Sequence, residues 1–254
     1  MVAFIHMIID IKKTLHSLAS PAKAKNSARF FKTAPGQYGH GDLFIGVTVP
    51  EVRSIAKKFF DLPLADIQKL LQSKIHEERL LALILLVKRF KKASENPPAI
   101  ASSQGEWRAG ERKVIYEFYL KNTKYINNWD LVDTSAGYIV GGFLYNKPKT
   151  ILKKLAQSTN LWERRIAIIA TFYDIYQGQS EETFKIAAIL INDEHDLIHK
   201  AVGWMLREVG KRCGDEIEES FLQKHYRSMP RTMLRYAIER FSEKKRKFYL
   251  KHAS

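Results

Sequence analysis

Trp129 and Asp133 lie four positions apart in the stretch Tyr125-Ile126-Asn127-Asn128-Trp129-Asp130-Leu131-Val132-Asp133. On a helix that spacing makes them surface neighbours, so an indole and a carboxylate can act on one ligand. A carboxylate beside an aromatic face suits a ligand that is cationic or becomes cationic during reaction. The chain as a whole carries a formal net charge of +15, from 42 Lys and Arg against 27 Asp and Glu. Such an excess suits a polyanion. Alkylated DNA meets both conditions, since its damaged purine is positive and its backbone negative.

Further residues fit that chemistry. Arg165 follows Trp162 and Arg164 near a helix start, where free amides and a guanidinium can jointly hold a phosphate. Lys200, Trp204, Arg207 and Lys211 follow i, i+4, i+7, i+11 spacing. One helix face therefore carries an indole among cations, a pattern of nucleic-acid surfaces rather than cores. Each residue also has a purely structural reading. Tryptophans pack in cores, and Asp133 could cap a helix or pair with Arg165.

Other chemistries are excluded by what the chain lacks. Gly137, Gly141 and Gly142 are not followed by the Lys and Ser/Thr of a phosphate-binding loop, and read as close helix-packing positions. His76-Glu77-Glu78-Arg79 lacks the second histidine of a zinc protease motif, and the eight histidines are scattered. Cys213 is the single cysteine, so an internal disulfide and a cysteine-rich zinc site are excluded. It reads as a core residue at a helix end. No metal and no cofactor are expected. The apolar start from Met1 to Lys13 lacks a signal peptide's cationic region, and no run of about 18 apolar residues spans a membrane. A reduced, cytoplasmic protein is expected, associated with the nucleoid through DNA.

Helical periodicity dominates the elements that must position these residues. Leu80, Leu81, Ile84, Leu85 and Val87 form one apolar stripe, and Ile166, Ile169, Phe172 and Tyr173 another. Asn160 with Glu163 predicts a capping box, and Pro50, Pro63 and Pro230 predict first-turn positions. The stretch Leu43 to Val49, set among Gly39, Gly41 and Gly46, reads as loop rather than strand. Arg165, Lys200 and Arg235 each open an apolar stripe, each 35 residues after the last, and Arg79 opens a similar one. A period of that size marks an α-solenoid of helix pairs. Repeated cations at equivalent positions would line a concave basic groove. The reading is one all-α domain over 1–254, with flexible loops at about 33–49 and 93–106. The run Lys244-Lys245-Arg246-Lys247 reads as a solvated helix end.

The sequence resembles the DNA alkylation repair family of AlkD-like DNA glycosylases. The resemblance rests on Phe44 to Arg53, on Asn128-Trp129-Asp130-Leu131-Val132-Asp133, on Leu161-Trp162-Glu163-Arg164-Arg165, and on Lys200 to Glu208, in family order. It implies a curved solenoid of HEAT-like antiparallel helix pairs with Trp129, Asp133, Arg165 and Trp204 as the active site. Some members carry a tyrosine in place of Phe30 and a glutamine in place of Thr48, positions associated with DNA contact.

Together these point to a monomeric glycosylase that excises positively charged N3- or N7-alkylpurines from double-stranded DNA. Asp133, Trp129, Trp204 and Arg165 would act at the lesion. Lys200, Arg207, Lys211, Arg164, Arg235 and Thr48 would hold the duplex. The resemblance further implies that the lesion is handled without a deep base-flipping pocket. Two rival readings use the same fold: a non-catalytic repeat protein that binds damaged or branched DNA, and a protein-binding scaffold.

Overall fold

The computed structural model describes residues 2–93 and 103–252, and among these the only β-pairing is an isolated bridge between Leu43 and Ile75. The chain divides into two compact units, Met1–Ser135 and Ala136–Ser254. The larger part of the expected 93–106 loop lies outside the described residues.

The first unit contains α1 (Val2–His16), α2 (Pro21–Phe30), α3 (Val49–Lys58), α4 (Leu64–Leu71), α5 (His76–Lys92), α6 (Ser103–Lys121) and α7 (Trp129–Asp133). Its centre is α5, which packs against α3, α4, α6 and α7. The stripe expected on this helix is wider than expected, because His76 through Val87 are all buried. A helix enclosed on every side has no polar face to keep, and its first-turn charges must find partners inside.

The segment 33–49 is glycine-rich but tied down. The Glu77 carboxylate accepts the backbone N–H groups of Ile45 and Gly46. The Leu43 N–H donates to the Lys74 carbonyl, and the His76 N–H, at the start of α5, donates to the Leu43 carbonyl. At Gly46 φ is +82°, and a Cβ there would lie 2.2 Å from the Ser20 carbonyl oxygen. Glycine is needed at that position for both reasons. The loop ends where the Glu51 carboxylate accepts the backbone N–H and hydroxyl of Thr48, which starts α3 with Pro50 in its first turn.

The second unit contains α8 (Gly142–Leu144), α9 (Thr150–Ala156), α10 (Leu161–Ala170), α11 (Phe172–Tyr176), α12 (Glu181–Leu190), α13 (Asp196–Cys213), α14 (Asp215–His225), α15 (Arg231–Ala237) and α16 (Glu243–His252). A π-helical turn, Gly137–Gly141, precedes α8. Helices α10, α13 and α15 pack side by side in chain order. Arg165, Lys200 and Arg235 are each the fifth residue of these helices. The 35-residue spacing therefore reflects a real stack of helix pairs, the packing of an α-solenoid. Glycines let the helices approach. A Cβ on Gly203 would lie 2.4 Å from the Met233 carbonyl oxygen, and one on Gly141 2.1 Å from that of Ala170.

Three local expectations change. Pro63 and Pro230 occupy N-cap positions rather than first turns. The Asn160 side chain caps α10 through the Trp162 N–H, but the Glu163 carboxylate accepts the Ser158 hydroxyl instead of closing the box. Ser158 Oγ in turn accepts the Asn160 N–H, so one hydroxyl relays what the glutamate was expected to do directly.

A candidate active site and nucleic-acid interface

Five residues make up α7, and Trp129 and Asp133 are its first and last. A helix of one turn has little stability of its own, so its neighbours must hold it. The buried Asn128 caps it, its side-chain oxygen accepting the Trp129 N–H at 2.8 Å. Trp129 stacks on Phe31 at 5.1 Å and 21°, Phe31 on Phe44 at 5.0 Å and 15°, and Phe44 on His76 at 4.5 Å and 21°. Phe30, 64% exposed, meets the indole edge-on at 5.8 Å. Both Trp129 and Asp133 are half-buried, so each keeps an accessible side.

Beneath this turn lies a charged cluster that sequence reasoning missed. His76 Nε2 is 2.7 Å from Asp130 Oδ2, and its Nδ1 is 3.4 Å from Asp42 Oδ2. Arg79 pairs with Asp42 at 2.7 Å and donates to the Ser73 carbonyl. Asn127 and Asn128 direct side-chain N–H groups at the same Asp42. Burial works against ionised Asp42, but the hydrogen bond from His76 and the Arg79 charge outweigh it and hold the carboxyl below its ordinary range. Glu78, next along α5, pairs with Lys12 at 2.8 Å and His16 at 2.9 Å. The signal in the sequence was four adjacent titratable residues opening an apolar helix.

Asp133 sits close to the buried Tyr119. Burial, with the Asp133 charge adding to it, holds that phenol well above its ordinary range although Ser135 hydrogen-bonds to it.

Arg165 and Trp204 belong to the second unit. Arg165 is almost fully buried on α10, and its Nη1 donates to the Leu197 carbonyl at the start of α13. Trp204 lies half-buried on α13, tilted against Phe172 at 6.3 Å. Phe172 also lies under the guanidinium of Arg212.

The expected duplex-binding residues divide into two kinds. Lys211 and Arg235 are exposed. Lys200, Trp204, Arg207 and Lys211 do share the side of α13 that is not buried. Lys200, however, pairs with Asp196 at 2.6 Å, and Arg207 pairs with Glu239. Arg164 pairs with Asp193 at 2.6 Å and donates to the carbonyls of Ser158 and Thr159, so its guanidinium braces the loop before its own helix. The Thr48 hydroxyl is engaged in capping α3. Cys213 is the last residue of α13, and burial pushes its thiol up. Among the described residues no group of three or more His, Cys, Asp or Glu could hold a metal, and no helix is long and apolar enough to cross a membrane.

A solved structure described as a predicted DNA alkylation repair enzyme from Enterococcus faecalis superimposes with a TM-score of 0.63 at 17% sequence identity, over 89% of this chain and 97% of that one. That likeness is one of fold. No match was found among curated proteins. The family model for the DNA alkylation repair enzyme matches residues 11–241, nearly the whole chain, and on that match this protein belongs to the DNA alkylation repair enzyme family.

Proposed function

We propose that this DNA repair protein is a glycosylase that hydrolyses the N-glycosidic bond of N3- and N7-alkylpurines in double-stranded DNA, acting as a monomer. The observation that carries this reading is α7, one turn whose two ends are an indole and a carboxylate. The basic excess of the chain supports a polyanionic substrate.

An N3- or N7-alkylpurine is already cationic, so it leaves without protonation by an acid. As its bond to C1′ stretches, the bonding electrons pass to the base and neutralise it, while positive charge grows on the sugar. Asp133 supplies a fixed negative charge to that sugar, and Trp129 supplies an electron-rich face. Water adds at C1′ and gives up a proton, with Asp133 orienting it in the manner of the second carboxylate of an inverting glycosidase. The products are the neutral alkylpurine and an abasic site. Lys200, Arg207 and Lys211 on the unburied side of α13, with the exposed Arg235 of α15, contribute to a basic duplex-binding face.

Single-turnover release of 7-methylguanine or 3-methyladenine from duplex DNA tests this. Release of the free base is the expected result. Tight, salt-sensitive binding with no release from any alkylated duplex would instead make the protein a non-catalytic binder of damaged DNA.

A further inference from the structure

We propose that His76, held as an imidazolium, is a positioning residue that clamps Asp130 of α7 to Asp42 of the 33–49 loop and so fixes the turn bearing Trp129 and Asp133. This rests on the reading of those two residues given above.

The surroundings of the ring favour a second proton. Both ring nitrogens face carboxylate oxygens, Nε2 at 2.7 Å from Asp130 and Nδ1 at 3.4 Å from Asp42. An ionised carboxylate only accepts, and a neutral imidazole has one N–H to give. A neutral ring would turn a lone pair toward one of the two carboxylates. With the ring charged, the cluster holds two anions, Asp42 and Asp130, and two cations, His76 and Arg79. Removing the proton leaves a net negative charge in a site where His76, Arg79 and Asp42 are all buried, which is costly.

Every element packed around the ring contributes to this balance. From α5 itself come Arg79, which opposes the imidazolium charge, and Glu77, whose carboxylate is committed to the Ile45 and Gly46 amides. The loop supplies Asp42, and the start of α7 supplies Asp130 with the neutral Asn127 and Asn128. The Phe44 ring lies nearly parallel to the imidazole at 4.5 Å, and Phe31 tilts against it at 5.0 Å. An aromatic face stabilises a cation at that distance. Burial works against the charged ring, yet the hydrogen bonds to Asp130 and Asp42 outweigh it and hold His76 above the ordinary histidine range.

The clamp reaches the chemistry through geometry. Asp130 directly follows Trp129, and its other oxygen accepts the Leu131 N–H at 2.8 Å. Its side chain is therefore the point at which α5 grips a one-turn helix. The aromatic column from His76 through Phe44 and Phe31 ends on the same indole. Loosening the clamp would misplace Trp129 and Asp133 together and leave the cations of the second unit untouched.

The experiment has two spectroscopic arms and one kinetic arm. Long-range 1H–15N spectra of the intact protein at pH about 7.5, where an ordinary histidine is mostly neutral, should show both His76 nitrogens protonated. A neutral tautomer would overturn the proposal. In His76→Gln the Trp129 indole N–H peak, assigned with Trp129→Phe, should move while those of Trp162 and Trp204 stay. For base release from 7-methylguanine duplex, His76→Gln should be slower by roughly 10- to 100-fold with DNA affinity changed by less than about twofold. A folded variant with an unmoved Trp129 peak and the wild-type rate would refute the clamp. Asp130→Asn covers the case in which His76→Gln fails to fold: it should lower the pH at which His76 titrates, and with it the alkaline limb of the rate profile. An unshifted limb would count against the proposal. If the wild-type protein releases no base, the function reading fails, and the two spectroscopic arms still decide the clamp.

Discussion

Phe31 and Trp129 stack face to face, their centroids 5.1 Å apart and their planes 21° from parallel. The phenyl ring is thus the floor on which the indole rests, and Phe30 meets the same indole from its edge. An aromatic pair is worth about 0.5–1.5 kcal/mol beyond its buried area. Phe31→Leu keeps an apolar side chain but removes the ring, and should slow base release by roughly two- to tenfold. Salt-dependent DNA affinity, measured in parallel, should not change. A loss confined to affinity would mean that Phe31 acts on DNA rather than on Trp129.

Asp133→Asn keeps the shape of the side chain and removes its charge. Loss of one preorganised electrostatic contact costs roughly 10²–10³ in rate. Binding should hold or tighten, because the lost charge repelled phosphates. Single-turnover release from 7-methylguanine DNA at saturating protein is the measurement. Equal rates for variant and wild type would take Asp133 out of the mechanism.

The exposed Arg235 and the paired Arg207 should differ as DNA ligands. Each phosphate contact adds about one to the slope of log affinity against log salt. Arg235→Ala should therefore flatten that slope by about one. Arg207→Ala should do less, because Glu239 already neutralises that guanidinium. Glu239→Gln should tighten binding by roughly two- to fivefold, the scale of a surface ion pair. Titrations at several salt concentrations check all three variants.

Gly203 and Gly110 make a contrasting pair. A Cβ on Gly203 would meet the Met233 carbonyl oxygen at 2.4 Å and the Tyr236 Cβ at 2.6 Å, so α13 and α15 would have to part. Gly203→Ala should cost about 2–3 kcal/mol, the scale of overpacking. Gly110, within α6, has open space around it, and Gly110→Ala should stabilise by roughly 0.5–1 kcal/mol. Denaturant midpoints of the two variants should move in opposite directions.

Glu218 sets a pH dependence in the second unit. It is 1% exposed against Gly210 of α13, and its Oε1 has no hydrogen-bond partner. Burial, with Asp215 adding to it, pushes its carboxyl up to about 8. The folded protein then binds this proton more tightly than the unfolded chain does. The stability it contributes is fully present below the unfolded carboxylate range and is lost as pH rises through about 8. Glu218→Gln is neutral at every pH, so it should gain on the wild type by on the order of 5 kcal/mol near pH 9 and lose that advantage in acid. Unfolding at both ends of the range tests the sign.

Much of the local organisation followed from the order of residues alone. The i, i+4 spacing of Trp129 and Asp133 put them at the two ends of one turn, and the 35-residue period placed Arg165, Lys200 and Arg235 at equivalent positions of stacked helices. These are short-range properties, set by helical geometry and by caps such as Asn128 and Asn160. Tertiary structure decided which charges remain available. Arg164 and Arg207 look alike with Arg235 in sequence, yet Asp193 and Glu239 engage the first two, and only folding brings those acids to them. It also decided the fate of His76. Nothing near it in sequence marks Asp42 or Asp130 as partners, 34 and 54 residues away. A buried ion cluster draws its members from distant elements because each charge must be paired once water is gone, and such pairing follows three-dimensional proximity rather than chain order.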